Sequence, residues 1–279
     1  MQRTSDEHKQ ILDSVIRELH DDPVDLLSIG DGAGESLYLD RSRLSYLRTL
    51  EDLLRVAGKL GMERGQIRIL EIGAFLGVVS CTLARLGFAV TALDLPEFMV
   101  NQRLKDRYYR HGVKTLAANL RDYALPAQSG EFDIVIMCET LEHLNFNPLP
   151  VLAEVNRVVA GGGYLYLSLP NQASLVNRAK LLTGRSIHNP IGDFTAQLSR
   201  DSNMIVGIHW REYTAAELKE LVELGGFSMV SHFFFTTHRA GIPARCMYLL
   251  FPRLRGNQTI VARKTAQTQP VFRFCEASR

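Results

Sequence analysis

The chain has 279 residues, 46% apolar and 22% charged, with a formal net charge of +2. That is enough apolar content for one large α/β domain, or a core with a small appendage, and too little charge bias for a general polyanion binder. Four scattered cysteines (Cys81, Cys138, Cys246, Cys275) with no Cys-x-x-Cys pair argue against a zinc site or a disulfide framework and fit a reducing cytoplasm. The polar start MQRTSDEHKQ lacks the apolar core of a signal peptide, and no uninterrupted apolar stretch approaches a membrane span.

Residues 1–20 carry a short amphipathic helix with Ile11, Leu12, Val15, Ile16 and Leu19 on one stripe, ended by Asp21-Asp22-Pro23. Gly30-Asp31-Gly32-Ala33-Gly34 imitates a nucleotide loop. No strand with a terminal acid follows it at a useful distance, so it reads as a mobile loop. Residues 41–60 form a longer helix whose buried face is Leu44, Leu47, Leu50, Leu53, Leu54 and Leu60.

The centre of the chain is 68–96, RILEIGAFLGVVSCTLARLGFAVTALDLP. An apolar run at 69–72 makes a buried strand, Gly73-Ala74-Phe75-Leu76-Gly77 a turn, and 78–86 an amphipathic helix stopped by Gly87. A second strand ends on Asp94. This βαβ unit reads as a nucleoside site: Gly73 leaves room for a ligand beside the backbone, and Asp94 is placed to accept from both ribose hydroxyls. A dinucleotide fingerprint needs a third, central glycine, which Phe75 replaces. Glu71 before the turn repels a pyrophosphate and suits a sulfonium, which favours S-adenosylmethionine (SAM) over NAD.

Beyond the unit, 96–110 reads as a helix whose cationic side chains form a solvated face, and nucleic acid is not expected. A third strand at 113–118 leads to Asn119 and Leu120. A fully buried strand at 132–137 delivers Cys138-Glu139-Thr140-Leu141-Glu142-His143 beyond its carboxyl end, where ligands of open parallel sheets bind. A helix at 152–159, a glycine turn and a strand at 164–169 follow. Residues 172–208 are a long polar interruption, read as a substrate-facing lid. Thr214 and Glu217 make a capping box for a helix that Gly225-Gly226 ends. Strands at 227–236 and 257–264 flank an apolar segment, 246–254, between arginines; it suits core packing, a homodimer interface or peripheral membrane contact.

The turn Glu71-Ile72-Gly73 to Gly77, with Ala92-Leu93-Asp94 at the next strand end, resembles the first and acidic motifs of class I SAM-dependent methyltransferases. FDIVIMCETLEHL at 132–144, NRVVAGGGYLYLSLPN at 156–171 and HWREYTAAELKELVELGGF at 209–227 extend the likeness to the small-molecule branch with quinone-type and glycan-type enzymes. The resemblance implies a Rossmann-like, doubly wound α/β sheet of about seven strands, mostly parallel with one antiparallel edge strand. It divides the chain into an N-terminal helical cap (1–62), a methyltransferase domain (63–264) and a tail (265–279). It implies SAM as cofactor, held by Glu71, Gly73, Ala74, Gly77, Asp94, Leu95, Asn119, Leu120 and Glu139, with Asp122 as the alternative to Asn119 and no metal. Arg41 or Arg43 would meet the methionyl carboxylate.

A hydroxyl acceptor needs a base, and imidazole suits neutral pH. His143, one turn beyond Glu139, which would hold its ring, is the first candidate; His209 is the second, ahead of Tyr213 and His188. The expected acceptor is a small molecule, a sugar, glycolipid or phenol, including a lipid-linked glycan. A SAM-binding module without turnover and an NAD-linked enzyme are the competing readings.

Overall fold

A computed structural model describes residues 4–24, 35–197, 208–237, 241–265 and 270. The strands are β1 (Arg68–Ile72), β2 (Ala89–Asp94), β3 (Lys114–Ala117), β4 (Phe132–Cys138), β5 (Val159–Pro170), β6 (Ser228–Phe235) and β7 (Asn257–Arg263). They form one sheet in the order β3-β2-β1-β4-β5-β7-β6. β1 to β5 pair in parallel, while β7 runs antiparallel to both neighbours, β5 and β6. The single reversed strand therefore lies one place in from the edge, which β6 occupies.

Strand alternation sorts the core into two layers. Ile69, Val90, Ile134 and Ile136 face the layer built by helices α1 (Thr4–Asp21), α2 (Glu35–Gly58) and α3 (Val78–Arg85). Leu70, Ile72, Val135 and Met137 face α6 (Pro148–Val158) and α8 (Ala215–Leu224). Both faces are covered, which is why β1 and β4 read as continuous apolar runs. The N-terminal helices pack beside α3, burying Leu12, Val15, Leu50 and Leu53. Leu44 departs from the expected buried face and is 51% exposed. Six residues before Leu50, it sits roughly 120° round the helix at 100° per residue.

The 96–110 stretch is two helices, α4 (Pro96–Met99) and α5 (Gln102–Arg110), broken where Asn101 accepts the Leu104 N–H at 3.2 Å. The solvated face expected there is corrected at Arg107 and Tyr108, both buried. The Arg107 guanidinium is spent on backbone carbonyls, Leu76 at 3.0 Å and Val15 at 3.2 Å, so it locks α5 to the glycine turn and to α1. The capping box forms as read: Thr214 and Glu217 satisfy one another's backbone N–H groups. The 172–208 stretch carries α7 (Leu175–Leu182), and the apolar segment near the C-terminus carries α9 (Ile242–Leu250). Among the described residues no helix is long and apolar enough to cross a membrane. The glycine-rich stretch at 30–34, part of 172–208 and most of 265–279 lie outside the described residues.

Candidate active site

The glycine turn is fixed from both sides. Gly73 and Ala74 donate their N–H groups to the Leu93 carbonyl at 2.9 and 3.2 Å, tying the turn to β2. Gly73 (φ +75°) and Gly77 (φ +71°) hold left-handed conformations that a side chain would strain. Neither has room for one: a Cβ on Gly73 collides with Thr140 Oγ1, and one on Gly77 lies 2.5 Å from the Tyr108 ring. Phe75 is also left-handed, at φ +48°. Its N–H donates to Asp94 Oδ2 at 2.7 Å and its carbonyl accepts the Tyr108 hydroxyl at 2.9 Å. The Phe75 ring packs edge-on against Phe98, with 5.5 Å between centroids. Strain of about 1–3 kcal/mol at such a residue persists because the surroundings over-determine it.

Asp94, half-buried at the tip of β2, faces this turn. Oδ2 takes the Phe75 N–H and Oδ1 the Leu95 N–H, each at 2.7 Å. An ionised carboxylate offers about four lone-pair directions, so each oxygen keeps one for a ligand hydroxyl. Burial pushes the Asp94 carboxyl up to about 6 against the pull of those two N–H groups. Donors that leave two acceptor positions side by side suit the two hydroxyls of a ribose. Asn119 lies close by, since Ala118 donates its N–H to the Asp94 carbonyl at 3.0 Å. Its side chain accepts the Arg121 N–H at 3.0 Å, Leu120 is half-buried, and Asp122 is exposed. Glu71 is directed inward instead: its buried carboxylate accepts from Ser80 on α3, and burial raises it to about 7. Arg43 is held by Asp13 at 2.6 and 2.9 Å.

A second group of side chains gathers beyond β4. Glu139, left-handed at φ +48°, donates its N–H to the Ser168 carbonyl at 2.8 Å. Its Oε1 is buried without a hydrogen-bond partner, as are both carboxyl oxygens of the fully buried Glu142. Burial raises both carboxyls: Glu139 to about 7, and Glu142 well above its ordinary value with the Glu139 charge adding to the effect.

The expected Glu139 support for His143 is absent. His143 Nδ1 lies 2.8 Å from the Ile208 carbonyl, and a carbonyl only accepts, so Nδ1 carries the proton and Nε2 is bare. Burial and then neighbouring His209 lower the ring to about 4. His209 Nδ1 meets Glu212 Oε1 at 3.2 Å, and Glu212 Oε2 accepts from Asn177 Nδ2 at 3.0 Å. Glu142, His143 and His209 each bring one ligand-type atom within 4.8 Å of the others. Of the weaker candidates Tyr213 is buried and His188 exposed. Sequence reasoning missed Arg107, Tyr108, Asn177 and Glu212. Only Glu212, three residues after His209, carried a local signal.

Residues 70–167 match the family model of the methyltransferase domain. A ubiquinone biosynthesis O-methyltransferase of Xanthomonas oryzae pv. oryzae is 34% identical over 144 residues, 51% of this chain and 55% of that protein. The chain thus spans about half the length of the curated relatives it matches. A SAM-dependent methyltransferase of Thermotoga maritima, a possible histamine N-methyltransferase, superposes with a TM-score of 0.51 at 18% identity, covering 83% of this chain and 94% of that one. One from Mesorhizobium loti gives 0.52 at 16% identity, covering 73% and 93%. The cofactor these likenesses imply is SAM. Residues 70–167 are thus similar to that methyltransferase domain, and the chain has the Rossmann-like fold of these structures, a seven-stranded, mostly parallel sheet flanked by helices.

Proposed function

We propose that the protein transfers a methyl group from SAM to a hydroxyl oxygen of a small acceptor, a sugar, glycolipid or phenol. The carrying observation is the His209–Glu212 pair beyond the carboxyl end of β4. With Nδ1–H given to Glu212, the Nε2 lone pair of His209 is left to take the acceptor's proton. The O-methyltransferase name of the Xanthomonas relative supports oxygen as the methylated atom.

When bound, SAM supplies a methyl group already activated by its sulfonium. Asp94 and Asn119 hold the nucleoside, Gly73, Ala74, Gly77 and Leu95 shape the wall beside it, and Glu139 stands toward the acceptor. Alignment of this kind accounts for roughly 7–11 kcal/mol of a barrier. In this reading 1–62 is a helical cap, 63–264 the catalytic body with a lid at 172–208, and 265–279 a tail. The free thiols of Cys81, Cys138 and Cys246 support a cytoplasmic setting. A lipid-linked acceptor and membrane contact through 246–254 are its finer parts, supported by the exposed apolar side chains of α9, with pairing of two copies through that segment as the alternative to membrane contact.

A second reading follows from the orphaned carboxyl of Glu142 beside two imidazoles: a divalent cation held by Glu142, His143 and His209 would polarise the acceptor oxygen.

Calorimetry with SAM and with NAD, followed by methyl transfer to a panel of sugar, glycolipid and phenolic hydroxyls, tests the proposal. SAM binding with a methylated product is the expected result. SAM binding without product from any acceptor class would leave a binding module.

A further inference from the structure

Helix α9 has no buried residue at all. Ile242 and Leu249 are each 76% exposed, Leu250 is 73% exposed, and Phe251 just beyond is 54% exposed. Isolated apolar side chains on a surface need no explanation, but a whole helix of them does. Its base is nevertheless well fastened. Asn171, buried at the end of β5, donates Nδ2 to the carbonyls of Arg253 and Arg255 at 2.8 Å each. Arg255 in turn donates Nη1 to the Phe234 carbonyl at 2.9 Å.

Helix α7 leaves the sheet from the same residue. It exposes Val176, Leu181 and Leu182, the last at 88%, and Ile191 follows in the same state. Two helices thus rise from one staple at the ligand-binding edge of the sheet, both presenting large apolar side chains outward. Through Asn177 and Glu212 that staple lies within one hydrogen-bond relay of His209.

The charges on these segments decide what covers them. Residues 172–188 carry Arg178, Lys180 and Arg185; residues 241–256 carry Arg245, Arg253 and Arg255; neither holds an acid. None of the six makes an ion pair with a described residue. A second copy meeting this face about a two-fold axis would set cations against cations with nothing to neutralise them. An anionic bilayer satisfies both features. Short helices lie in the interface with apolar side chains about 5–10 Å deep, and cations beside them are drawn to anionic headgroups.

We propose that α7 and α9 together form a docking surface for an anionic lipid bilayer, seating the carboxyl edge of the sheet against the membrane. Delivery of a membrane-borne acceptor to His209 rests on the methyl-transfer reading; the docking itself does not.

The test is cosedimentation of the full chain with phosphatidylcholine vesicles, with and without phosphatidylglycerol. The protein is expected to pellet with the anionic vesicles, to be released by raised salt, and to stay soluble with phosphatidylcholine alone. The double substitution Leu249→Glu, Leu250→Glu is expected to lower vesicle partitioning at least tenfold, with thermal unfolding and SAM calorimetry unchanged because both side chains are exposed. Equal pelleting of the variant and the parent chain would overturn the proposal, as would no pelleting with anionic vesicles. A dimer on size exclusion that the same variant dissociates would also overturn it, making the face an interface between copies. Failure of SAM to bind, with vesicle binding intact, would count against the methyl-transfer reading alone.

Discussion

The rings of His143 and His209 meet edge to face, 4.9 Å between centroids and 82° between planes. The surroundings of the two rings differ. Burial lowers the His143 ring to about 4, and its Nδ1–H is fixed on the Ile208 carbonyl. His209 has a carboxylate behind it. Single-turnover methyl transfer at saturating acceptor should therefore fall about 10²–10⁴-fold in His209→Ala and much less in His143→Ala. Glu212→Gln should keep substrate binding while moving the pH profile of the chemical step. Near-full rates in both histidine variants would place the base elsewhere.

Asp94 makes SAM affinity depend on pH with a definite sign. Its folded carboxyl is raised from 3.8 to about 6. Its share of folding stability is therefore largest below about 4 and is lost as pH rises through 6. Ligand binding runs the other way, because ribose hydroxyls need the ionised acceptor. The SAM dissociation constant should weaken by about tenfold per pH unit below 6, while the ligand-free protein gains the Asp94 contribution. Asp94→Asn should bind weakly at every pH, with a flat profile. Calorimetry from pH 5 to 8 reads both, and parallel profiles for the two proteins would remove Asp94 from the contact.

Tyr108 supports the turn through its hydroxyl on the Phe75 carbonyl and through its ring against Gly77. Removing only the hydroxyl, in Tyr108→Phe, leaves a buried carbonyl short of its donor and should cost ~1 kcal/mol or somewhat more. Gly77→Ala adds both a clash with the ring and a left-handed residue, and should cost more than Tyr108→Phe. Thermal melts rank the two. SAM affinity should drop in both, since each loosens the turn that presents Asp94.

What could be read from the chain alone tracks how local the physics is. β1, the Gly73 turn and Asp94 were legible because a buried strand, a left-handed turn and a terminal acid follow one another within 27 residues. The capping box at Thr214 was legible for the same reason. Arg107 was misread because its partners, the carbonyls of Leu76 and Val15, are 31 and 92 residues away. A cation satisfied by distant backbone leaves no mark on its own helix. His143 was ranked first on its spacing from Glu139, a helical rule. Residues 141–143 form a tight 3-10 turn instead, and the ring finds Ile208, 65 residues on. The segment 246–254 was legible as apolar but not as a helix, because its apolar side chains carry no polar face to mark a period.

Glu142 yields the last prediction. A fully buried carboxyl set against that of Glu139 is costly when charged, so it is held protonated, and its folded value stands well above 4.5. The penalty against the folded state therefore sets in above pH 4.5, grows as pH rises toward the folded value, and then stays constant. Glu142→Gln keeps the shape without the ionisation. Its melting temperature relative to the parent chain should accordingly climb from pH 5 to pH 8. A divalent cation on Glu142, His143 and His209 would reverse this, since the bound ion pairs the ionised carboxylate and stabilises only the parent. Melts of chelator-treated protein, with and without added magnesium or manganese, separate the cases. A rise confined to the parent chain assigns the trio to a metal; a glutamine variant that gains on the parent in every condition assigns Glu142 to a neutral acid beneath the base.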